Sequence, residues 1–318
     1  MQTRSLTMAA ASNGTKKTRI VIISDTHAAT PYAEGDIEHA FRWPLPEADI
    51  LLHCGDLTGN GALYQHERTV EMLKEANAKL KIVIPGNHDI TLDEKYYERD
   101  WKLHGRSSGK QDTSACRALY TNIEAEEAGL VYMEEGIRSF TMNGVKFTVY
   151  ASAYTPEFCR WGFAYERDED RFNPAQPGAS YQPVNPIPNH GEVDIIVTHG
   201  PPMGLLDKTN HDMVVGCEHL FNAVSRCRPR LHAFGHIHEA WGAVRMDWNS
   251  KTGTEVEIPQ RSKLVRDGGA FLDISKEGDV PLEFGKATLF VNASIMDLIY
   301  DPTNAPFVVD VDLPLAES

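Results

Sequence analysis

The chain has 318 residues, 42% of them hydrophobic and 24% charged, enough apolar material for a buried core. A formal net charge of −14 opposes any partner gripped through many Lys or Arg contacts to phosphates. The longest apolar runs are a few residues, far short of the ~20 that a spanning helix needs, so neither a membrane nor a nucleic-acid polymer is an expected partner.

The first seventeen residues are rich in Ser, Thr and Ala and carry Arg4, Lys16 and Lys17 but no acid. That composition has a trace of an organelle transit peptide, but its expected role is a disordered tail on a cytoplasmic protein. Residues 18–318 are then expected to form one domain. Short, near-continuous apolar runs at 19–23, 49–52, 81–84, 193–197 and 231–234 have the pattern of strands covered on both faces. Leu63, Val70, Leu73 and Ala76 approach helical spacing and predict a helix over 62–78. Alternation of this kind argues an α/β architecture. Runs at 137–142 and 145–150 flank Asn143-Gly144, a hairpin signal that adds antiparallel pairing and makes the sheet mixed. Two stretches, 167–188 and 249–285, are crowded with Pro, Gly, Asp and Asn and are expected to be insertions, as surface loops or lids. Five scattered cysteines, Cys54, Cys116, Cys159, Cys217 and Cys227, form no CxxC pair, which suggests neither a disulfide framework nor a structural zinc site.

The residues just past each apolar run are more informative. The first run leads into Ser24-Asp25-Thr26-His27, the second into His53-Cys54-Gly55-Asp56, the third into Pro85-Gly86-Asn87-His88-Asp89. The last two lead into Thr198-His199-Gly200 and Gly235-His236-Ile237-His238. Each alone reads as a turn, a cap or a hydrogen-bonded structural histidine. Together they put metal-ligand chemistry at five strand ends, where ligands collect in α/β proteins. Imidazoles and carboxylates without cysteine suit Zn, Mn or Fe. In two-metal hydrolases the ions lie about 3.5–4 Å apart, a gap one carboxylate bridges. Only Asp25 and Asp56 are strong carboxylate candidates, so one of them is expected to bridge. Two dications against two carboxylates leave a charge of about +2, suited to a phosphate group.

The order DxH, GD, GNHD, THG and GHxH resembles the calcineurin-like metallophosphoesterase superfamily. Tyr154-Thr155-Pro156-Glu157-Phe158, Trp161-Gly162-Phe163, Thr198-His199-Gly200-Pro201-Pro202, His238-Glu239 and Asn292-Ala293-Ser294 narrow the resemblance. They look like the metallophosphoesterase-domain-containing, UPF0046-like subfamily of animals and fungi. The resemblance runs from about residue 19 to about residue 313. It implies a two-sheet mixed β-sandwich flanked by helices, with the active site at the strand carboxyl ends. It implies two divalent metal ions, drawn from Mn, Fe, Zn or Mg. Asp25, His27 and His238 would hold one, Asn87, His199 and His236 the other, with Asp56 bridging. Asn87 and His88 would meet the substrate, and His88 would stabilise charge on the phosphate or protonate the leaving oxygen. The implied reaction is in-line attack by a metal-bound hydroxide on a small phosphodiester, cyclic nucleotides included.

Departures from the pattern also carry weight. Protein phosphatases of the superfamily continue the second motif into a phosphate-clamping arginine, whereas here the chain reads Gly55-Asp56-Leu57-Thr58-Gly59-Asn60-Gly61. That ranks phosphomonoesterase or phosphoprotein phosphatase behind phosphodiesterase. Some subfamily relatives have Gly in place of His236; this chain keeps the histidine, which disfavours a non-catalytic scaffold. Among the remaining candidates, Asp89 is expected either to support the ligands or to cap the following helix, and Trp161 to line the pocket or the core. His53 is expected to be structural, and Cys159 a packed small residue. His39, His66, His104, His190, His211, His219 and His232 lack motif context and are read as surface or packing residues.

Overall fold

The computed structural model describes residues 14–175, 178 and 181–317. Strands β1 (Thr15–Ile23), β2 (Ala48–His53), β3 (Ala78–Val83) and β4 (Leu130–Tyr132) come first, then β5 (Glu135–Met142), β6 (Val145–Ser152), β7 (Thr155–Pro156) and β8 (Ala164–Tyr165). They continue as β9 (Ile195–Thr198), β10 (Leu231–Phe234), β11 (Gly242–Asp247), β12 (Thr252–Glu255), β13 (Ala270–Asp273), β14 (Ala287–Asn292) and β15 (Phe307–Pro314). The helices are α1 (Leu63–Glu75), α2 (Glu94–Asp100), α3 (Thr113–Thr121), α4 (Ile123–Glu127), α5 (Glu218–Cys227) and α6 (Arg261–Asp267).

The strands form a six-stranded sheet, β13-β15-β1-β2-β3-β4, a seven-stranded sheet, β12-β11-β14-β10-β9-β6-β5, and the small pair β7-β8. In the first sheet β1, β2, β3 and β4 run parallel, and in the second β6, β9, β10 and β14 do. Antiparallel partners, β15 against β1 and β11 against β14, make both sheets mixed. Alternation along the strands sorts the apolar side chains into layers. Ile20, Ile22, Leu52 and Ile82 from one sheet meet Val149, Val197, Ala233 and Leu289 from the other between the sheets. Val21, Ile23, Leu51 and Val83 point outward beneath Val70, Leu73, Cys116 and Tyr120 of α1 and α3. On the far side Tyr150, Ile196, Phe234 and Phe290 lie beneath Leu220, Ala223 and Val224 of α5. The architecture is the two-sheet mixed sandwich flanked by helices that the motifs imply.

Several boundaries differ from the sequence expectation. Residues 1–13 of the expected tail lie outside the described residues, but β1 begins at Thr15, so residues 15–17 belong to a sheet. The polar Lys16 and Lys17 are strand because β15 pairs with them, at Leu313 and Asp312, and because Lys17 meets Asp273 at 2.6 Å. The first helix ends at Glu75, and Ala78 already opens β3. The Asn143-Gly144 turn holds the hairpin in register, Met142 opposite Val145, with both turn residues in the left-handed region.

Both stretches expected to be insertions make contact with the sheets through their described residues. Residues 249–285 supply β12, α6 and β13, adding an edge strand to each sheet. Between 167 and 188 the described residues form no helix or strand, but Arg171, Phe172 and Ile187 tie them to the second sheet. Arg171 grips both carboxylate oxygens of Glu135, at 3.0 and 3.1 Å, and its guanidinium lies 3.7 Å over the Tyr154 ring. Phe172 and Ile187 of the same stretch are buried in the core beneath it. Glu135→Ala removes the anion that this largely buried guanidinium faces, which should cost roughly 3 kcal/mol. Chemical denaturation should register that loss while metal content stays at the wild-type level, since the clamp lies outside the ligand set.

Candidate metal centre

The parallel strands of both sheets end at one edge, and the segments after them interlock. Ser24 and Ser294, which follow β1 and β14, form a parallel bridge that joins the sheets: Ser24 N–H donates to Ala293 O and Ile295 N–H to Ser24 O, each at 2.9 Å. Asp25 N–H donates to Gly55 O and His27 N–H to Asp56 O, tying the first two loops together. Asp25, His27, Asp56 and His236 all have φ between 45° and 71°, the left-handed region that a non-glycine residue enters at a cost of about 1–3 kcal/mol. The surrounding backbone hydrogen bonds hold them there. Gly86 and Gly235 serve a second need, close approach. A Cβ on Gly86 would overlap Asp56, and one on Gly235 would overlap the Asp25 carboxylate.

Two groups of ligand-type atoms result, each group within 4.8 Å: Asp25, His27 and His238, and Asp56, His199 and His236. Asp56 stands between them, its Oδ2 3.7 Å from His27 Nε2 and its Oδ1 3.3 Å from His199 Nε2. Asn87 Oδ1 lies 2.8 Å from His199 Nε2, so all seven sequence candidates for ligation come together.

The protons on three histidines are set from behind. Backbone carbonyls face Nδ1 of His27 (Thr58 O, 3.1 Å), His238 (Asp297 O, 3.0 Å) and His199 (Cys54 O, 2.9 Å), which fixes the hydrogen on Nδ1. The Nε2 lone pairs are then left to face inward. His27 Nε2 and His238 Nε2 are 3.3 Å apart, and His199 Nε2 faces two oxygens. Lone pairs that point at one another repel unless a proton or a cation sits among them, so this donor set fits two divalent ions.

Without ions, protons take that place. Burial opposes charge on His199 and His238, but Asp56 beside the first and Asp25 beside the second outweigh it, and the two imidazoles rise to about 9 and about 8. Burial also opposes the carboxylates, yet the same imidazoles keep Asp25 and Asp56 below the usual carboxylate range. Burial, helped by neighbouring imidazoles and only partly opposed by Asp56 and Asp25, drives His27 to about 4 and His236 to about 3, which leaves them as neutral ligands.

The supporting residues were only partly visible in the sequence. Asp89 accepts hydrogen bonds from the N–H groups of Gly86, Leu57 and Thr58 and from the Thr58 hydroxyl, bracing the Asp56 loop against the Asn87 loop. The cap on α2 is Asp93, so of the two roles open to Asp89, support is the one it plays. Ser294 donates to Asp25 Oδ2 at 2.8 Å, and Asn292 Nδ2 donates to Ile237 O, steadying the GHxH loop. Both lie at the end of a sixth buried strand, and the run 287–292 is the signal that marks them. Below the site His53 Nε2 bonds Thr26 and His232 Nε2 bonds Thr198, while Nδ1 of each is buried without a partner among the described residues.

A pocket of about 300 Å³ opens over the cluster, lined by Asp56, Asn87, His88, Phe158, Trp161, His236, His238, Glu239, Leu298 and Tyr300. Trp161 is thus a pocket residue. Phe158, Leu298 and Tyr300 form an apolar rim, 63%, 50% and 51% exposed. Tyr300 carries no motif signal; its ring reaches the cluster edge-on, 4.9 Å from His27. Cys159, expected to be packed, is exposed, because the loop that turns Trp161 inward leaves it facing outward.

The family profile of the calcineurin-like phosphoesterases matches residues 18–240. Human and mouse metallophosphoesterase domain-containing protein 1 are each 30% identical over 303 residues, 93% of this chain and 72% of theirs. A UPF0046 protein of Caenorhabditis elegans is 29% identical over 232 residues, 73% of this chain and 67% of that protein. A solved putative 5′-nucleotidase from Staphylococcus aureus aligns at a TM-score of 0.38 with 9% identity, over 95% of this chain and 55% of that one.

The two raised histidines give the metal-free protein a definite pH dependence. Their folded values lie above the ordinary 6.5, so the stability they contribute is complete below pH 6.5 and is lost as pH rises through about 8 to 9. Metal competes for the same nitrogens, so its apparent affinity should climb over that window. Thermal melts of chelated protein from pH 6.5 to about 9 should show a falling midpoint. Calorimetric Mn²⁺ titrations in buffers of different ionisation enthalpy should show proton release at neutral pH that fades at the alkaline end.

Proposed function

The chain belongs to the calcineurin-like phosphoesterase family, and we propose that it hydrolyses small phosphodiesters at the cluster of Asp25, His27, Asp56, Asn87, His88, His199, His236 and His238. Family membership supports phosphoester hydrolysis. The observation that carries the reading is the inward-facing set of Nε2 lone pairs and buried carboxylates, a donor set that calls for cations. Two divalent ions bound there would lower the pKa of water, orient the phosphorus and stabilise the departing oxygen.

The protein supplies the rest. Asp25, His27 and His238 form one half of the holder, and Asn87, His199 and His236 the other, with Asp56 between them. Asn87 turns Oδ1 toward His199, which leaves its amide N–H groups to donate to a phosphoryl oxygen. His88 Nδ1 is 2.9 Å from Gly59 O, so Nε2 is the atom free to meet the ester. A proton carried on that Nε2 would pass to the leaving oxygen.

Substrate choice follows from charge and size. No Lys or Arg lines the pocket among the described residues, so a dianionic phosphomonoester or phosphoserine would find no guanidinium fork. A singly charged diester needs less compensation, and the rim of Phe158, Leu298 and Tyr300 suits organic ester groups, those of cyclic nucleotides included. Aryl and alkyl diesters should therefore be turned over with higher kcat/KM than a phosphoserine peptide; a faster peptide reaction reverses the ranking.

Chelation should abolish activity, and Mn²⁺ or a similar dication should restore it. Asp56→Asn removes one of two carboxylate charges and turns one of the two oxygens that face the halves into an NH2 group, so metal content and turnover should fall together. His88→Ala should keep its metals yet lose about 10²–10⁴ in kcat on alkyl diesters, the usual range for a lost general acid or charge stabiliser. Its defect should shrink on p-nitrophenyl esters, whose leaving group departs with little need of a proton. Elemental mass spectrometry alongside rates on both ester types checks each half: metal loss in His88→Ala, or normal metals and turnover in Asp56→Asn, contradicts the assignment.

A further inference from the structure

His88 has one nitrogen committed to Gly59 O and one left for chemistry, so its usefulness depends on how firmly its ring plane is held. The hydrogen bond alone leaves the ring free to tilt about the Nδ1–O line. Stacking removes that freedom. The Trp161 ring lies 3.9 Å from His88, centroid to centroid, with 24° between the planes. His104 lies 3.5 Å from Trp161 at 14°. Two rings that close to one indole cannot share a face without overlapping each other, so His104 covers the face opposite His88. The result is a column, His104-Trp161-His88, that runs from the half-buried His104 to the reactive imidazole.

The column has its own anchors. His104 Nε2 is 3.2 Å from Cys159 O, so this side chain grips both the indole and the loop that carries it. Gly162 N–H donates to Asn87 O and Tyr96 OH to Arg160 O, fixing the loop on the two sides of Trp161. Cys159, Arg160 and Phe163 are left-handed at φ 50–57°, a costly path that brings Trp161 between the two histidines. With both faces covered, Trp161 has no face to offer a substrate; its ring instead transmits the position of His104 to His88.

We propose that His104 is a positioning residue for phosphoester cleavage: stacked on the outer face of Trp161, it presses the indole against His88 and keeps His88 Nε2 aimed at the leaving oxygen. The inference rests on the phosphodiesterase reading for its chemistry, and on the column alone for its geometry. It assigns a role to a histidine outside every metal motif.

The test compares His104→Ala, His104→Leu and His104→Phe, singly and with His88→Ala, at matched metal content. His104→Ala and His104→Leu should lower kcat on an alkyl diester about 10-fold to 10²-fold with little change in KM, since misplacing a reacting group by about 1 Å costs up to that much. The loss should shrink on p-nitrophenyl diesters, as it does for His88→Ala. The flat ring of His104→Phe should restore the rate, and His104→Ala should cost nothing further in the His88→Ala background. Equal losses on both ester types, failure of Phe to rescue, or an additive loss in the double variant would overturn the proposal.

A second readout needs no turnover. The ring protons of His88, shifted upfield by the Trp161 ring current, should move downfield in NMR spectra of His104→Ala and return in His104→Phe. Unchanged resonances in His104→Ala would refute the column, whereas an inactive wild-type protein with the expected shifts would refute only the phosphodiesterase reading.

Discussion

Two ionised carboxylates, Asp25 and Asp56, are enclosed almost completely by protein and face imidazole nitrogens whose lone pairs point at them and at one another. Buried charge on this scale is tolerated only with compensation of opposite sign. Much of the local structure is arranged around that constraint. Carbonyls of Cys54, Thr58 and Asp297 hold the Nδ1 protons away from the cluster, and Ser294 and the His236 N–H hydrogen-bond the Asp25 carboxylate. Left-handed backbone at four of the ligand positions stores strain where it aims side chains inward. The glycines beside them allow loop approaches that any Cβ would block.

The seam between the sheets explains why the cluster can be both rigid and composite. Each half of the ligand set draws on both sheets: Asp25 and His27 follow β1 while His238 follows β10, and Asp56 follows β2 while His199 and His236 follow β9 and β10. The Ser24–Ser294 bridge and the contact from His199 to Cys54 O stitch the halves together at the level of the ligands themselves. The net charge of −14 remains a property of the whole surface. At the site, cations would dominate the local field, and the pocket wall adds aromatic and apolar groups rather than basic ones.

Much of this was legible in the sequence because the ligands directly follow runs that are buried on both faces. A run such as 19–23 announces its strand, and the polar residue after it announces its place at the carboxyl end. The pairing of distant strands was not legible. Residues 270–273 form an apolar patch inside a loop-like stretch, and only their contact with β15, far along the chain, makes them an edge strand. Thr15 to Lys17 carry no apolar signal at all and are strand through the same partner. His104 is the clearest case. Its stack on Trp161 joins residues 57 positions apart through loop geometry that leaves no local periodicity. Tyr300 and the carbonyl of Asp297 are hidden for a related reason, since backbone carbonyls and loop aromatics have no motif of their own.

The most direct measurement is anomalous X-ray scattering from crystals loaded with Mn²⁺. Two peaks per chain are expected, about 3.5–4 Å apart, with the Asp56 carboxylate between them. One should sit among Asp25, His27 and His238, the other among Asn87, His199 and His236. A single peak, or peaks away from these side chains in protein that is fully active, would contradict the account.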